Sequence, residues 1–562
     1  KTAVSTVISE ARDFSCTIFD EVGNLVAGAA TVLFHFGVVA YSAKTILREY
    51  GDDIAPGDLF IANDPHHGGG LHPQDVILLK PIFDDGRRIA WSGASGHMLD
   101  VGGMVPGSFA PSARECFQEA LRIPPTKLFR KGELDRGVWN LILNNIRMAD
   151  KVSMDLMSLV AGANVAEEKV LELAGTYGRD LFIHALEATQ DLSEEELRRR
   201  IAELPDGEYS ARSWTEFGDE FFPVVCTLSI DGTGLADLPG LRFDYTGSAP
   251  QCPYFFNSKA QIVESELVIR VYQLLTPDVP FTQGVLRPIR IEAPKGSIVD
   301  SVPPAPISAA HMHVGLLAME LGETCLKKAL AASRSARRPR ITSQGGTTGL
   351  GNSSWTARRA GGAAETFLLM DGNAVGGGAC IDRDGINLTG SNYGGPGLVY
   401  PDVEIVEQTS PVLVLYKRLR VDAGGAGRFR GGASVDEALT PYGAERLDGT
   451  LFGMRRYLPV NGLFGGYPGA CTLFERSRTR DAVERLRDGE DLSSADAFAG
   501  ALEALPNNTG GVVVEAGEAF VFGCAAGGGL GDPLERDPSR VARDVRSRYV
   551  SAAAAERVYG VV

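Results

Sequence analysis

The sequence predicts an α+β fold: one large, multi-layered, intertwined subunit. Its N-terminal part is expected to be α/β and metal-binding, and its C-terminal part β-rich and glycine-rich. Three observations predict this. Apolar residues recur with helical spacing in some stretches and run continuously between turn signals in others, up to about residue 340. Beyond that point glycine dominates the turns, and the whole chain holds 67 glycines in 562 residues, well above the usual level of about 7%. A chain of 562 residues is too long for one small core, and length alone implies roughly three or four structural units. The changes of character divide it into an N-terminal metal-binding catalytic region (1–207), a mixed α/β middle region (208–340) and a glycine-rich, β-rich C-terminal region (341–562).

Residues 12–34 predict two short strands around the turn Glu21-Val22-Gly23-Asn24, and FGVVAYSAKTILREY (36–50) predicts a helix. VILLKPIF (76–83) reads as a buried strand, DDGRR (84–88) as a hairpin turn, and IAWSGASG (89–96) as the returning strand. A Gly/Pro turn follows at 102–107. The stretches Ser112–Arg122 and Gly132–Ala174 read as mainly helical, and Ser193-x-x-Glu196 reads as a capping box opening a helix that ends before Pro205. From residue 208, EYSARSWTEF, FPVVCTLSIDG and LRFDYTGS predict an antiparallel meander. Helices are expected at 258–275 and 311–333, with a strand in RPIRIEAPKGSIVD between them. The remainder predicts strands separated by glycine clusters: GGAAETFLLMDGNAVGGGAC, SNYGGPG, DAGGAGRFRGG, NGLFGGYPG and CAAGGGLGDP. It carries a charged helical insertion at 476–498. Glycine in such clusters permits tight turns and close backbone approach to a ligand or another chain.

Several function classes are disfavoured. A net charge of −16 and a pI near 5.1 argue against nucleic-acid binding. No apolar run reaches the ~18–20 residues needed to span a bilayer, so no membrane partner is expected. No signal-peptide pattern follows Lys1, which reads as a start inside a longer chain. Eight scattered cysteines without a CxxC pair read as reduced thiols of a cytoplasmic protein. No GxxxxGK[ST] phosphate loop occurs, and neither GGTTGLGN nor GGGLGDP leads into the apolar helix of a dinucleotide-binding fingerprint. A GxSxG nucleophile elbow is also missing from the sequence.

The chemistry concentrates in one place. Four of the eight histidines fall between residues 66 and 97 (His66, His67, His72 and His97), beside Asp64, Asp75 and Asp100. His72 and Asp75 in HPQD are three residues apart on a segment where Pro73 disfavours a regular helix. If the two flanking strands pair, His97 arrives at the same sheet end. Two imidazoles and a carboxylate with open positions suit a catalytic mononuclear metal site. The alternative is that these are loop residues capping backbone groups. His35, His311, His313 and Asn257 read by default as buried polar groups satisfied by local partners.

Taken together, EARDFSCTIFDEVGN, LFHFG, IANDPHHGGGLHPQDV, GHMLDVGGMVPGS, FQEALRIPP, DAGGAGRFRGG, GLFGGYPG and GGGLGDPLERD carry a resemblance. The chain resembles the hydantoinase B/oxoprolinase family along essentially its whole length. This is the B-type subunit of ATP-dependent hydantoinases, oxoprolinases, caprolactamase and the acetone and acetophenone carboxylases. The resemblance implies a separate A-type subunit that binds ATP and activates substrate or bicarbonate, and a hetero-oligomer that also self-associates. It implies one divalent ion, zinc or manganese, held by His72, Asp75 and His97, with Asp13 in RDFS as a further ligand. His35 and Asp100 are the candidate catalytic residues, Asp100 as a carboxylate orienting His97. HPQD departs from the commoner HLPD at Pro73 and Gln74, and Met98 stands where many relatives have a second histidine. The implied activity is opening of a cyclic amide (hydantoin, lactam or oxoproline-like). Carboxylation of a ketone with bicarbonate, and a structural subunit with a vestigial metal site, are the alternatives.

Overall fold

The computed structural model describes residues 3–231, 240–359, 364–389 and 401–562. SNYGGPG lies outside the described residues. The chain is α+β, with its strands in four separate sheets.

The first sheet carries the candidate metal ligands. Its strands are β1 (Phe14–Asp20), β2 (Leu25–Ala30), β3 (Leu59–Ala62), β4 (Asp75–Asp84), β5 (Arg87–His97), β6 (Thr126–Arg130) and β7 (Glu133–Leu134), in the order β2-β1-β5-β4-β3-β6-β7. The β4–β5 hairpin turns on Asp85 and Gly86, whose φ values of 46° and 76° fit a type I′ turn. That two-residue turn starts the register, and a bulge that leaves Ile89 unpaired between the pairs Phe83–Arg88 and Ile82–Ala90 shifts it by one residue, which places Asp75 directly opposite His97. Helix His35–Tyr50 packs on one face of this sheet and helix Ala149–Tyr177 on the other, so both faces are covered.

The second sheet is the expected meander Gly207–Phe217, Glu220–Ile230 and Leu241–Asp244, with Ile289–Glu292 added in parallel. Helices Ala260–Leu275 and Leu316–Ala332 pack against each other beside it. The third and fourth sheets are built from strands between Gly351 and Gly523. One hydrophobic core runs through all of these layers, from Ala11 to Cys524.

Three local expectations are corrected. Residues 112–122 hold only the short turn Cys116–Gln118. They are drawn out as a strap, with Cys116 N–H donating to Pro304 O and the Glu119 carboxylate accepting from Ile307 and Ser308 N–H. Ser193 caps nothing: it lies inside helix Arg179–Ile201, where its hydroxyl donates to Thr189 O and Pro280 O. The charged insertion at 476–498 shortens to the helix Ala482–Arg487, with a 3₁₀ turn at Ala495–Phe498.

The glycine clusters do something other than turn. Segments 374–379, 424–432, 462–469 and 524–530 lie side by side outside any named strand or helix, with a turn at Phe464–Gly465 in the third. They are joined laterally: Gly432 N–H donates to Gly377 O (2.8 Å), Gly527 to Gly432 O (3.1 Å), Gly425 to Gly527 O (2.8 Å) and Gly529 to Tyr467 O (2.9 Å). Gly376, Gly377, Gly431, Gly432 and Gly527 have no left-handed φ; what they need is space. A methyl on Gly376 would overlap the Gly432 carbonyl, and one on Gly431 the Gly527 carbonyl. The clusters meet one another inside the chain, so the close backbone approach they permit is, at these segments, between parts of the same chain.

Gly162 shows the opposite case. It sits within helix Ala149–Tyr177, where an added Cβ meets nothing within 4 Å. Gly162→Ala is expected to stabilise the protein by about 0.5–1 kcal/mol through helix propensity, read as a rise in the denaturation midpoint.

Candidate metal centre

Three segments bring the ligands together. The β4–β5 pairing sets Asp75 against His97, and the His97 backbone N–H donates to Asp13 O (3.1 Å), so β1 delivers Asp13 to the same end. His72 precedes β4 by one turn, closed by Asp75 N–H donating to His72 O. Gly70 makes the approach possible, since a Cβ there would stand 2.7 Å from that of Asp75.

Asp75 is the hub. Its Oδ2 lies 3.3 Å from His72 Nε2 and 3.6 Å from His35 Nε2, and its Oδ1 lies 3.3 Å from His97 Nδ1. Two donors at metal distance in a tetrahedral site stand about 3.4 Å apart, so these spacings suit a shared ion. His72, Asp75 and His97 each offer a donor atom within 4.8 Å of the others, and all three are buried. Asp75 Oδ2 is buried without a hydrogen-bond partner. An orphaned carboxylate oxygen among imidazoles fits a bound cation. Nitrogen with hard oxygen is the donor chemistry of zinc or manganese.

The surroundings tune the ligands. Gln74 Oε1 lies 2.6 Å from His72 Nδ1; an amide oxygen only accepts, so Nδ1 carries the proton and Nε2 presents its lone pair to the site. Burial pushes the His72 pKa down to about 4 despite Asp75. Burial alone would raise Asp75, but His72 and His35 hold it well below the ordinary carboxylate range. Burial raises Asp13, which stands 4.0 Å from His97 Nδ1. For His97, Asp75 and Asp13 outweigh burial and keep the pKa raised. Gln74→Leu is expected to weaken metal binding about 10- to 100-fold while leaving the fold intact, measured by competition with a chelator.

His35 joins the cluster, with Nδ1 3.2 Å from Ser15 Oγ. So does His311, whose Nδ1 lies 2.6 Å from Glu266 Oε1 and whose ring stacks at 5.8 Å on His72. Sequence reasoning left His311 as a core histidine. It stands on a π-turn, His311–Gly315, that opens helix Leu316–Ala332, and such turns concentrate at functional sites. Its neighbour His313 has no hydrogen-bond partner at either nitrogen and packs between Phe255 and Phe256, where burial drives its pKa to about 3.

One expectation fails. Asp100 does not orient His97: its oxygens accept from the N–H groups of Gly102, Gly107 and Arg147 and from the Arg147 guanidinium. His66 and His67, part of the histidine clustering, turn elsewhere. His66 meets Ala305 O, and half-exposed His67 pairs with Glu49.

The ligands head a small, partly open cavity. Its other walls are apolar (Val32, Leu71, Phe109, Leu368, Phe452) apart from the carboxamides of Asn352 and Asn373. The middle and C-terminal regions therefore help to enclose the metal end.

Residues 1–533 match the family described as hydantoinase B/oxoprolinase. The β subunit of caprolactamase from Pseudomonas jessenii is 30% identical over 100% of this chain and 92% of its own length. The δ subunit of acetophenone carboxylase from Aromatoleum aromaticum is 24% identical over 98% of this chain and 81% of its own. The crystal structure of ATP-dependent caprolactamase from Pseudomonas jessenii matches with a TM-score of 0.87 at 27% identity, covering 100% of this chain and 92% of that one. Nucleotide-free acetone carboxylase shares the fold, with a TM-score of 0.91 at 21% identity over 100% and 76%. Among the described residues no helix is long and apolar enough to cross a membrane.

Proposed function

The chain belongs to the hydantoinase B/oxoprolinase family, and from that premise we propose that it is the metal-binding B-type subunit of an ATP-dependent amidohydrolase. It opens a small cyclic amide after a separate A-type ATPase subunit has activated the substrate. The observation that carries this reading is the buried His72–Asp75–His97 group, with an orphaned Asp75 oxygen, at the head of a small and largely apolar cavity. The greater likeness to a caprolactamase subunit than to a ketone carboxylase subunit, 30% against 24% identity, favours amide opening over carboxylation.

A ring amide is a weak electrophile, and a divalent ion, when bound, supplies an acidified water and polarises the carbonyl. The chain's own residues do the rest. His72, Asp75 and His97 hold the ion, with Asp13 as the further oxygen ligand. Gln74 fixes the His72 tautomer, as Ser15 and Glu266 steady His35 and His311. His35, with Nε2 on the cavity side beside Asp75, is placed to hold a proton during ring opening. Phe109 and Phe452 exclude bulk water from the far side. The absence of a phosphate loop from the sequence supports ATP chemistry on the partner, and eight cysteines without a disulfide support a cytoplasmic setting.

The test is reconstitution with the A-type partner. The purified chain is expected to show no substrate-dependent ATP hydrolysis, and the complex is expected to hydrolyse ATP in step with ring opening across a panel of cyclic amides. Turnover that instead requires a ketone and bicarbonate would establish the carboxylase reading. Comparable turnover by the chain alone would refute the division of labour.

A further inference from the structure

We propose that Asn352 reads the N–H and C=O edge of a cis ring amide and so makes the cavity selective for lactam-like rings over ketones; this rests on the amide-opening reading above. Asn352 lies on strand Gly351–Arg359, directly opposite Phe452 on the neighbouring strand Ala444–Gly453. Directly paired residues stand side by side on one face of a sheet. Phe452 stacks on Phe109 at 4.2 Å, and Phe109 stacks in turn on His72 (5.5 Å) and His97 (5.9 Å). The Asn352 carboxamide therefore belongs to the wall that meets the metal ligands across the aromatic pair, and it lines the same cavity.

The carboxamide lacks partners. Asn352 is 4% exposed, makes no side-chain hydrogen bond, and its Oδ1 is buried and unsatisfied. Buried amides are ordinarily paired. Gly372 leaves room beside Oδ1, since a Cβ there would stand 2.6 Å from it. No protein group bonds Oδ1, so its complement has to come from what enters the cavity.

Chemistry selects that complement. A primary carboxamide offers a donor and an acceptor on one edge. Ring closure forces a lactam amide into the cis form, which sets its N–H and C=O on one side, so two antiparallel hydrogen bonds form together. A trans amide presents these groups on opposite sides. A ketone has no N–H, and an N-alkylated lactam has lost it; either leaves Oδ1 unpaired. A site built to bond a group rejects the analogue that lacks it far more strongly than it rejects a change of size. The opened product, an amine and a carboxylate, no longer carries a cis amide, so the same contact favours its release.

Three ring probes of nearly equal size test this on the metal-loaded full chain: δ-valerolactam, its N-methyl derivative and cyclohexanone, with affinity read by calorimetry or ligand-observed NMR. The lactam is expected to bind at least about tenfold more tightly than the other two. Asn352→Leu is expected to bring the lactam to the level of the ketone, with metal content by elemental analysis unchanged. Asn352→Asp, which keeps an acceptor and loses the donor, is expected to fall between. Equal binding of all three probes by the wild type overturns the proposal without recourse to any variant, as does lactam binding that is absent or insensitive to Asn352→Leu. Ketone binding tighter than lactam binding would overturn the amide-opening reading as well, which separates the two failures.

Discussion

Asp75→Ala is expected to empty the metal centre and to reduce turnover of the reconstituted enzyme to background. Its carboxylate is the one group within 3.6 Å of three imidazoles, those of His35, His72 and His97. Removing it leaves two ligand histidines without the anionic oxygen that balances the cation, and the loss should exceed the ~10- to 100-fold typical of an outer-sphere change. An affinity fall of more than about 100-fold follows, measured as metal content after dialysis and by calorimetric titration. A variant that still carries one ion per chain would remove Asp75 from the ligand set.

Gly527→Ala is expected to be the most damaging small substitution in the C-terminal region. The added methyl would overlap the Gly377 carbonyl, while the Gly527 N–H donates to Gly432 O and its carbonyl accepts from Gly425 N–H. Relief by a rotamer change is impossible, because the clash is with backbone. Neighbouring segments would have to separate and lose their lateral hydrogen bonds together. Overpacking a core usually costs about 1–3 kcal/mol, and here about 4 kcal/mol or more is expected, in the range reserved for disrupted cores. The readout is a chemical denaturation midpoint, with hydrogen exchange locating the loosened amides on segments 374–379, 424–432 and 524–530. A midpoint within error of the wild type would mean that the lateral packing contributes little.

The metal end was legible because its geometry is local. Strand length, the Asp85–Gly86 turn and the spacing of His72, Asp75 and His97 are all written within one hairpin. His35 and Asp13 followed from the resemblance. His311 was hidden because HMHVGLL reads as ordinary apolar helix, and nothing in residue order announces a π-turn or its approach to a sheet formed over two hundred residues earlier. Asn352 and Phe452 were invisible for the same reason: their partners are distant in sequence. Asp100 misled through proximity, since a residue three places from His97 need not face it once Gly102 and Gly107 fold the chain back around its carboxylate. Composition exposed the glycines but not their use. Tight turns and close lateral packing draw on the same residue for different reasons, positive φ in one and absent volume in the other.

The division of the cavity between early and late parts of the chain sets an order of events during synthesis. The β4–β5 hairpin and its ligands can form while the ribosome is still making the middle region, because the contacts are near in sequence. Phe452 and its strand emerge hundreds of residues later, and until then Phe109, stacked on His72 and His97, lacks the ring that covers it. Completion of the C-terminal region is what closes the cavity over the candidate ligands, so a truncated or stalled chain would carry His72, Asp75 and His97 without a chamber to confine a small molecule.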